Sequence, residues 1–159
     1  GFDEFFFAHM EEIDLCWRMQ RAGYLVYTIG ESHVYHLGGG TLNKLSPRKT
    51  FLNFRNNLLL LVKNYPSQNF LLKMTQKILL DGLASLKFLS EGNVKHFFAV
   101  LKAHMSFYGN LKKYLKIRKQ LKQQLSKKEI TGIYASSIAK DYFFSKKTKY
   151  SSLDKTSFS

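Results

Sequence analysis

The chain has 159 residues, enough for one ordinary domain with its own core. Its 25 Lys+Arg against 11 Asp+Glu give a formal charge of +14, which calls for an anionic partner: nucleic acid, a phosphorylated sugar or an acidic membrane surface. The single cysteine, Cys16, excludes an internal disulfide and a multi-cysteine zinc site; the longest aliphatic run, Leu58 to Val62, falls far short of the ~20 residues that cross a bilayer.

The sequence opens at Gly1 within an apolar stretch reaching Ala8, where a natural amino terminus is more often polar and loosely held. The expectation is a fragment or a processed chain, with no signal peptide ahead of it. From His9 to Ala22 the spacing predicts a helix with Ile13, Cys16 and Trp17 on one face and Leu15, Met19 and Ala22 on the adjoining one. Acids occupy its first turns and Arg18 and Arg21 its last, as the helix dipole favours, and Gly23 is a left-handed stop. Asp14 and Arg18 form an acid-before-base pair at four-residue spacing, worth on the order of a few tenths of a kcal/mol.

Tyr24 to Ile29 reads as a strand, Gly30-Glu31 as a turn, and Ser32 to His36 as a second short strand with Ser32, Val34 and His36 on one face. Gly38, Gly39 and Gly40 then make a loop, since a triple glycine holds no regular structure cheaply. Two strands make no stable open sheet alone, so these are expected to pair with strands outside the segment or to lean on the helices. Ser46-Pro47, a cap followed by a proline at the first helical position, starts a helix to about Asn64. Further helices are expected from Ser67 to Ser90, from Val94 to about Tyr108, and from Leu111 to Ser126. The last is basic and free of acids as far as Lys128. The expected architecture is an α+β fragment, mostly α-helical. Residues 1–45 form a short helix–strand–strand piece, 46–144 a basic helical extension, and 145–159 a disordered tail.

Five of the eleven acids (Asp3, Glu4, Glu11, Glu12, Asp14) crowd into the first fourteen residues of an otherwise basic chain. Neighbouring positions on a helix point about 100° apart, so Glu11, Glu12 and Asp14 cannot together bind one metal. Glu12 can face a cleft while Asp14 serves Arg18; a dipole-matched acidic helix start explains the same residues. His36 reads either as a packed histidine or as a ligand beside a glycine loop that lets backbone approach closely. Arg48, Lys49 and Arg55 are suited to phosphate, and equally to a solvated basic face.

Phe2-Asp3-Glu4-x-Phe6-Phe7, Glu11-Glu12-x-Asp14-Leu15-x-x-Arg18, Gly23-Tyr24 and Val34-Tyr35-His36-x-Gly38-Gly39, in this order and spacing, resemble the family-2 inverting glycosyltransferases, closest to the bacterial rhamnosyltransferase-like members. The resemblance covers about residues 1–64. It implies that residues 1–45 are the end of a GT-A catalytic domain using a nucleotide-sugar donor, with a saccharide or lipid-linked acceptor. Glu12 takes the position of the general base, where the family more often has aspartate, with Glu11 and Asp14 supporting. His36 matches a histidine that completes a Mg²⁺ or Mn²⁺ site on the donor diphosphate; the D-x-D motif supplying the other ligands is absent from the 159 residues. This segment alone is therefore expected to be inactive, and the enzyme to sit peripherally on the inner face of a bacterial cytoplasmic membrane. The acid-free basic stretch fits anionic lipid at about 1 kcal/mol per basic residue near the surface. The alternative is a non-enzymatic basic helical module binding anionic membrane or nucleic acid. The sequence carries no groove-reading motif or aromatic-interleaved RNA signature to favour nucleic acid.

Overall fold

The apolar run at 58–62 sits in the middle of the core because it lies on a helix flanked on two sides. In a computed structural model, which describes residues 1–35, 46–65, 69–125 and 132–158, five α-helices follow one another: α1 (Glu11–Arg21), α2 (Pro47–Asn64), α3 (Phe70–Ser90), α4 (Val94–Gln124) and α5 (Ile138–Phe143). Leu58, Leu59, Leu60 and Val62 of α2 bury with Met74 of α3, Phe107 and Tyr114 of α4, and Phe6 from the amino-terminal segment.

The order of contacts fixes the topology. Thr50 of α2 meets His96 of α4 at 2.8 Å, and Arg118 further along α4 donates to the Val62 carbonyl at 2.8 Å, so α2 and α4 run parallel. Along α3 the partners reverse. Phe70 lies under the Arg118 guanidinium at 4.5 Å, Asp81 meets His104 at 3.2 Å, and Phe88 stacks on His96 at 5.3 Å. The three long helices thus go up, down and up, with short connections. α4, at 31 residues and ~46 Å by the helical rise, outreaches both neighbours. Its distal half supports the amino-terminal segment, where Phe5 packs on Tyr114 at 5.5 Å.

The boundaries of α2 follow local chemistry: Ser46 accepts the Arg48 amide and Pro47 occupies the first turn. The α3–α4 turn at Gly92 (φ 74°) is a left-handed stop. At the other end of the chain Tyr134 bridges to Phe158, and its hydroxyl donates to Asp141 of α5 at 2.7 Å. Residues 145–158 include two short 3-10 turns.

Two expectations need correction. The helix–strand–strand unit of a GT-A remnant is not formed: among the described residues there is no sheet. Residues 24–29 and 32–35 run exposed with no ladder, joined only by a turn in which the Ser32 amide donates to Ile29 O at 3.1 Å. Their β-branched and aromatic residues favour a half-buried pleated surface, and no described element covers them, so propensity alone does not pair them. The expected break at residues 109–110 is also absent, since α4 continues through Gly109 and Asn110. A helical glycine costs about 1 kcal/mol relative to alanine. Burying Phe107 and Tyr114 on either side outweighs that cost, and the Asn110 amide donates back to Ser106 O at 2.7 Å.

A Cβ at Gly109 would meet no atom within 4 Å. Gly109→Ala should therefore stabilise the protein, by about 0.4–1 kcal/mol in urea unfolding; destabilisation would show that the helix is interrupted there.

Candidate functional site

The acidic amino-terminal segment is held to α2 by polar side chains at positions an apolar stripe would otherwise fill. Leu52, Asn56, Leu59 and Lys63 recur at four, three and four residues on one face of α2, and all four are buried. Lys63 lies at the centre of the contact. Its Nζ donates to Asp14 Oδ2 and to Asp3 Oδ2, each at 2.8 Å, and stands over the Phe6 ring. Asp14, fully enclosed, also accepts from Asn64 Nδ2 at 2.7 Å and from Arg18 Nε at 2.9 Å. Arg18 in turn donates to the Gly1 carbonyl at 2.8 Å. Asp14 was expected to serve Arg18 and, by the resemblance, to support Glu12; its bonds to Lys63 and Asn64 also make it the anchor of α1.

Burial by itself would raise the Asp3 carboxyl. The hydrogen bond and charge of Lys63, the Phe5 amide and the charge of Lys113 together hold it below the usual carboxylate range. The same enclosure pushes the Tyr114 phenol well up, with the charges of Asp3 and Asp14 adding and that of Arg55 opposing.

Between this anchor and α1 the backbone is strained. Phe7 (φ 61°, ψ −58°) forms the rare positive-φ γ-turn, closed by the Ala8 amide on Phe6 O at 2.7 Å; His9 (φ 69°) and Met10 (φ 73°) follow in the left-handed region. Three such non-glycine residues cost of order 1–3 kcal/mol each and persist only where the surroundings over-determine them. Asn56 does this: its side-chain Nδ2 lies 2.8 Å from each of the Phe6, Ala8 and His9 carbonyls, so that its two N–H groups serve three acceptors, one of them shared. Arg55 adds a bond to Phe5 O at 2.8 Å and orients Asn56 through its side-chain oxygen at 2.9 Å. Beside the turn, His9 Nε2 and Glu11 Oε2 are enclosed without a hydrogen-bond partner.

The residues singled out from sequence fall as follows. Glu12 lies in the first turn of α1, exposed and without an ion pair among the described residues, while Glu11 is half-buried next to it. Arg48 is exposed, its guanidinium 5.0 Å over the ring of Phe7, and Lys49 is half-buried one residue on. Arg55 is engaged with the backbone of the strained segment. His36 and Gly38, Gly39 and Gly40 lie outside the described residues, so the structure does not describe Glu12 and His36 together. Among the described residues no three His, Cys, Asp or Glu side chains converge as a metal site. Asn56, Lys63 and Asn64 were not anticipated as site residues. Their signal was available: an amide and an ammonium in register with Leu52 and Leu59 are polar groups at core positions, and these require partners.

Comparison with protein-family models, with curated proteins and with solved structures finds no match to this chain.

Removing the ammonium while keeping an unbranched side chain one atom shorter, Lys63→Met, leaves Asp14 enclosed with only Arg18 and Asn64. It should cost about 3 kcal/mol in unfolding free energy at neutral pH. The depressed Asp3 carboxyl contributes stability that is present above 3.8, its ordinary value, and lost as pH falls through its lower folded value. Lys63→Met should therefore also flatten the acid limb of stability against pH below about 4; an unchanged limb would mean that Lys63 does not set the Asp3 proton affinity.

Proposed function

We propose that this chain carries the base-bearing segment of an inverting glycosyltransferase that transfers a sugar from a nucleotide-sugar donor to a saccharide or lipid-linked acceptor in cell-surface polysaccharide synthesis. The observation supporting this most is the contrast between two carboxylates two residues apart. Asp14 is locked by Lys63, Asn64 and Arg18, which fixes the helix, whereas Glu12 on the same helix start is left in solvent with no partner among the described residues. A structural acid finds a partner, while a general base needs a rigid support and an open face. Backbone strain immediately ahead of Glu12 fits the same reading, since strained segments cluster at sites where a side chain must be aimed.

In the proposed step a carboxylate oxygen of Glu12 takes the proton of the acceptor hydroxyl as the hydroxyl's own oxygen bonds to the anomeric carbon. The bond from the anomeric carbon to the donor diphosphate breaks on the opposite side, and the nucleoside diphosphate leaves with the electron pair, inverting the centre. Arg48, exposed beside the strained turn, is placed to pair with a phosphate of the acceptor. The donor-binding D-x-D is absent from this sequence, and the reading requires it from another segment. A Mg²⁺ or Mn²⁺ ion on the donor diphosphate, with His36 among its ligands, belongs to the same reading; His36 lies outside the described residues.

No helix among the described residues is long and apolar enough to cross a membrane. A peripheral position on the inner face of a bacterial cytoplasmic membrane is part of the proposal, because the acceptor class is membrane-borne.

The test joins this chain to a donor-binding segment bearing the D-x-D and follows nucleoside diphosphate release from UDP-, GDP- and dTDP-sugars. Glu12→Gln should lower kcat about 10²–10⁴-fold and leave donor affinity unchanged. Turnover within a few-fold of the parent would remove Glu12 from the base role.

A further inference from the structure

α3 and α4 form an antiparallel hairpin whose inner side packs on α2. Its outer side is apolar where an ordinary surface helix is polar. On α3, Leu72, Leu79, Leu83 and Leu86 make one outward stripe, each between 56% and 64% exposed. Thr75, Gln76, Gly82 and Ser90 border that stripe, and the exposed Lys87 stands at its edge, four residues on from Leu83. On α4, Val94, Phe98, Leu101, Met105 and Tyr108 recur at four, three, four and three residues and are 42–73% exposed. They lie opposite the face that buries Ala103, Phe107 and Tyr114. Single exposed leucines need no explanation; two adjoining helices with apolar outer stripes do.

The next turns of α4 continue the same line with a change of chemistry. Lys112, Lys116 and Lys119 follow Tyr108 on the outward face, all exposed. Apolar residues thus give way to cations along one edge of the molecule, on a chain of net charge +14. That pattern disfavours a second copy as the occupant. A two-fold pairing with α4 parallel sets the lysines against one another; antiparallel pairing sinks them into the partner's apolar stripe without a counter-charge. It matches a lipid surface, where side chains at one depth enter the acyl boundary and lysines reach the phosphates. No described helix is apolar enough to span, so the contact is one of lying on the bilayer.

We propose that the outer face of the α3–α4 hairpin inserts shallowly into an anionic bilayer, with the leucines of α3 and Phe98 and Met105 of α4 entering the acyl boundary and Lys112, Lys116 and Lys119 engaging headgroup phosphates. The surface stands on exposure and charge alone and is independent of the transferase reading.

The test uses the full chain with vesicles of phosphatidylcholine alone or containing about 30% phosphatidylglycerol. The parent should co-sediment with the anionic vesicles at least about tenfold more tightly than with the neutral ones. Leu83→Gln with Met105→Gln changes two outward side chains and should weaken anionic binding about tenfold while leaving thermal unfolding within a few degrees. Lys112→Gln, Lys116→Gln and Lys119→Gln together should weaken it similarly and remove most of its salt dependence. Binding that depends on the lysines but is indifferent to L83Q/M105Q would overturn insertion, leaving charge attraction alone. A lipid-free dimer in sedimentation velocity that L83Q/M105Q dissociates would overturn it in favour of a second copy.

Discussion

Everything at the amino-terminal end of this protein depends on one ammonium group. Lys63 stands at the end of the most apolar stretch of the chain, buried, between the carboxylates of Asp3 and Asp14. Taking three charges out of water costs several kcal/mol per ion, and the cost is offset only when every remaining lone pair and proton is met. Here Asn64 and Arg18 meet the rest of Asp14, and the Phe5 amide meets Asp3. An apolar cluster of the same volume would hold the segment as strongly but not in one orientation. Charge-assisted hydrogen bonds do both, because their strength falls off steeply with angle.

Orientation matters because of what the clamp supports. The segment from Phe7 to Met10 has three non-glycine residues at positive φ, and no favourable local preference maintains them. The carbonyls this bend turns inward are collected by Asn56 and Arg55, so α2 supplies both the anchor and the template for the strain. The result is a helix start whose direction is set from two sides, by Lys63 on Asp14 and by Asn56 on the turn. Glu12 and Glu4 are the exposed carboxylates of this segment, and of the two Glu12 stands on the helix whose direction is set in this way.

Much of this was legible in the residues, but unevenly. Ser46-Pro47 marked the start of α2, and the gap between Ser90 and Val94, where Gly92 lies, the α3–α4 turn, because caps and left-handed stops are local chemistry. Gly109-Asn110 looked like another stop and was not one. A glycine ends a helix only when its carbonyl neighbours find no continuation, and the buried face of α4 continues through Tyr114. Residues 24–29, rich in aromatic and β-branched side chains, and the alternating residues from Ser32 looked like strands because both signals report a preference for a pleated surface, not the presence of a partner. At the candidate site the acids were visible and their division of labour was not. Asp14 and Glu12 are both acids in a first turn, and only contacts about fifty residues away, to Lys63 and Asn64, separate the anchored one from the free one. His36 and the three glycines fall outside the described residues, so the imidazole half of the expected site stays an expectation.

The two ends of the argument meet on α4. Its first half carries the outward apolar stripe, and its second half carries the lysines on one side and, on the other, Tyr114 against Phe5 and Arg118 against the Val62 carbonyl. From Met105 to Tyr114 is nine residues, ~14 Å along the axis. A rigid helix with its outer edge on a lipid surface would therefore hold the strained turn, and α1 behind it, at one height and one tilt relative to the headgroups. A lipid-linked acceptor also presents its phosphate and first sugar at a fixed height, so a base built on such a helix would need no search in that dimension. Under the two proposals together, attachment to the bilayer would become part of positioning, through the one continuous 31-residue helix that joins the apolar edge to the polar clamp.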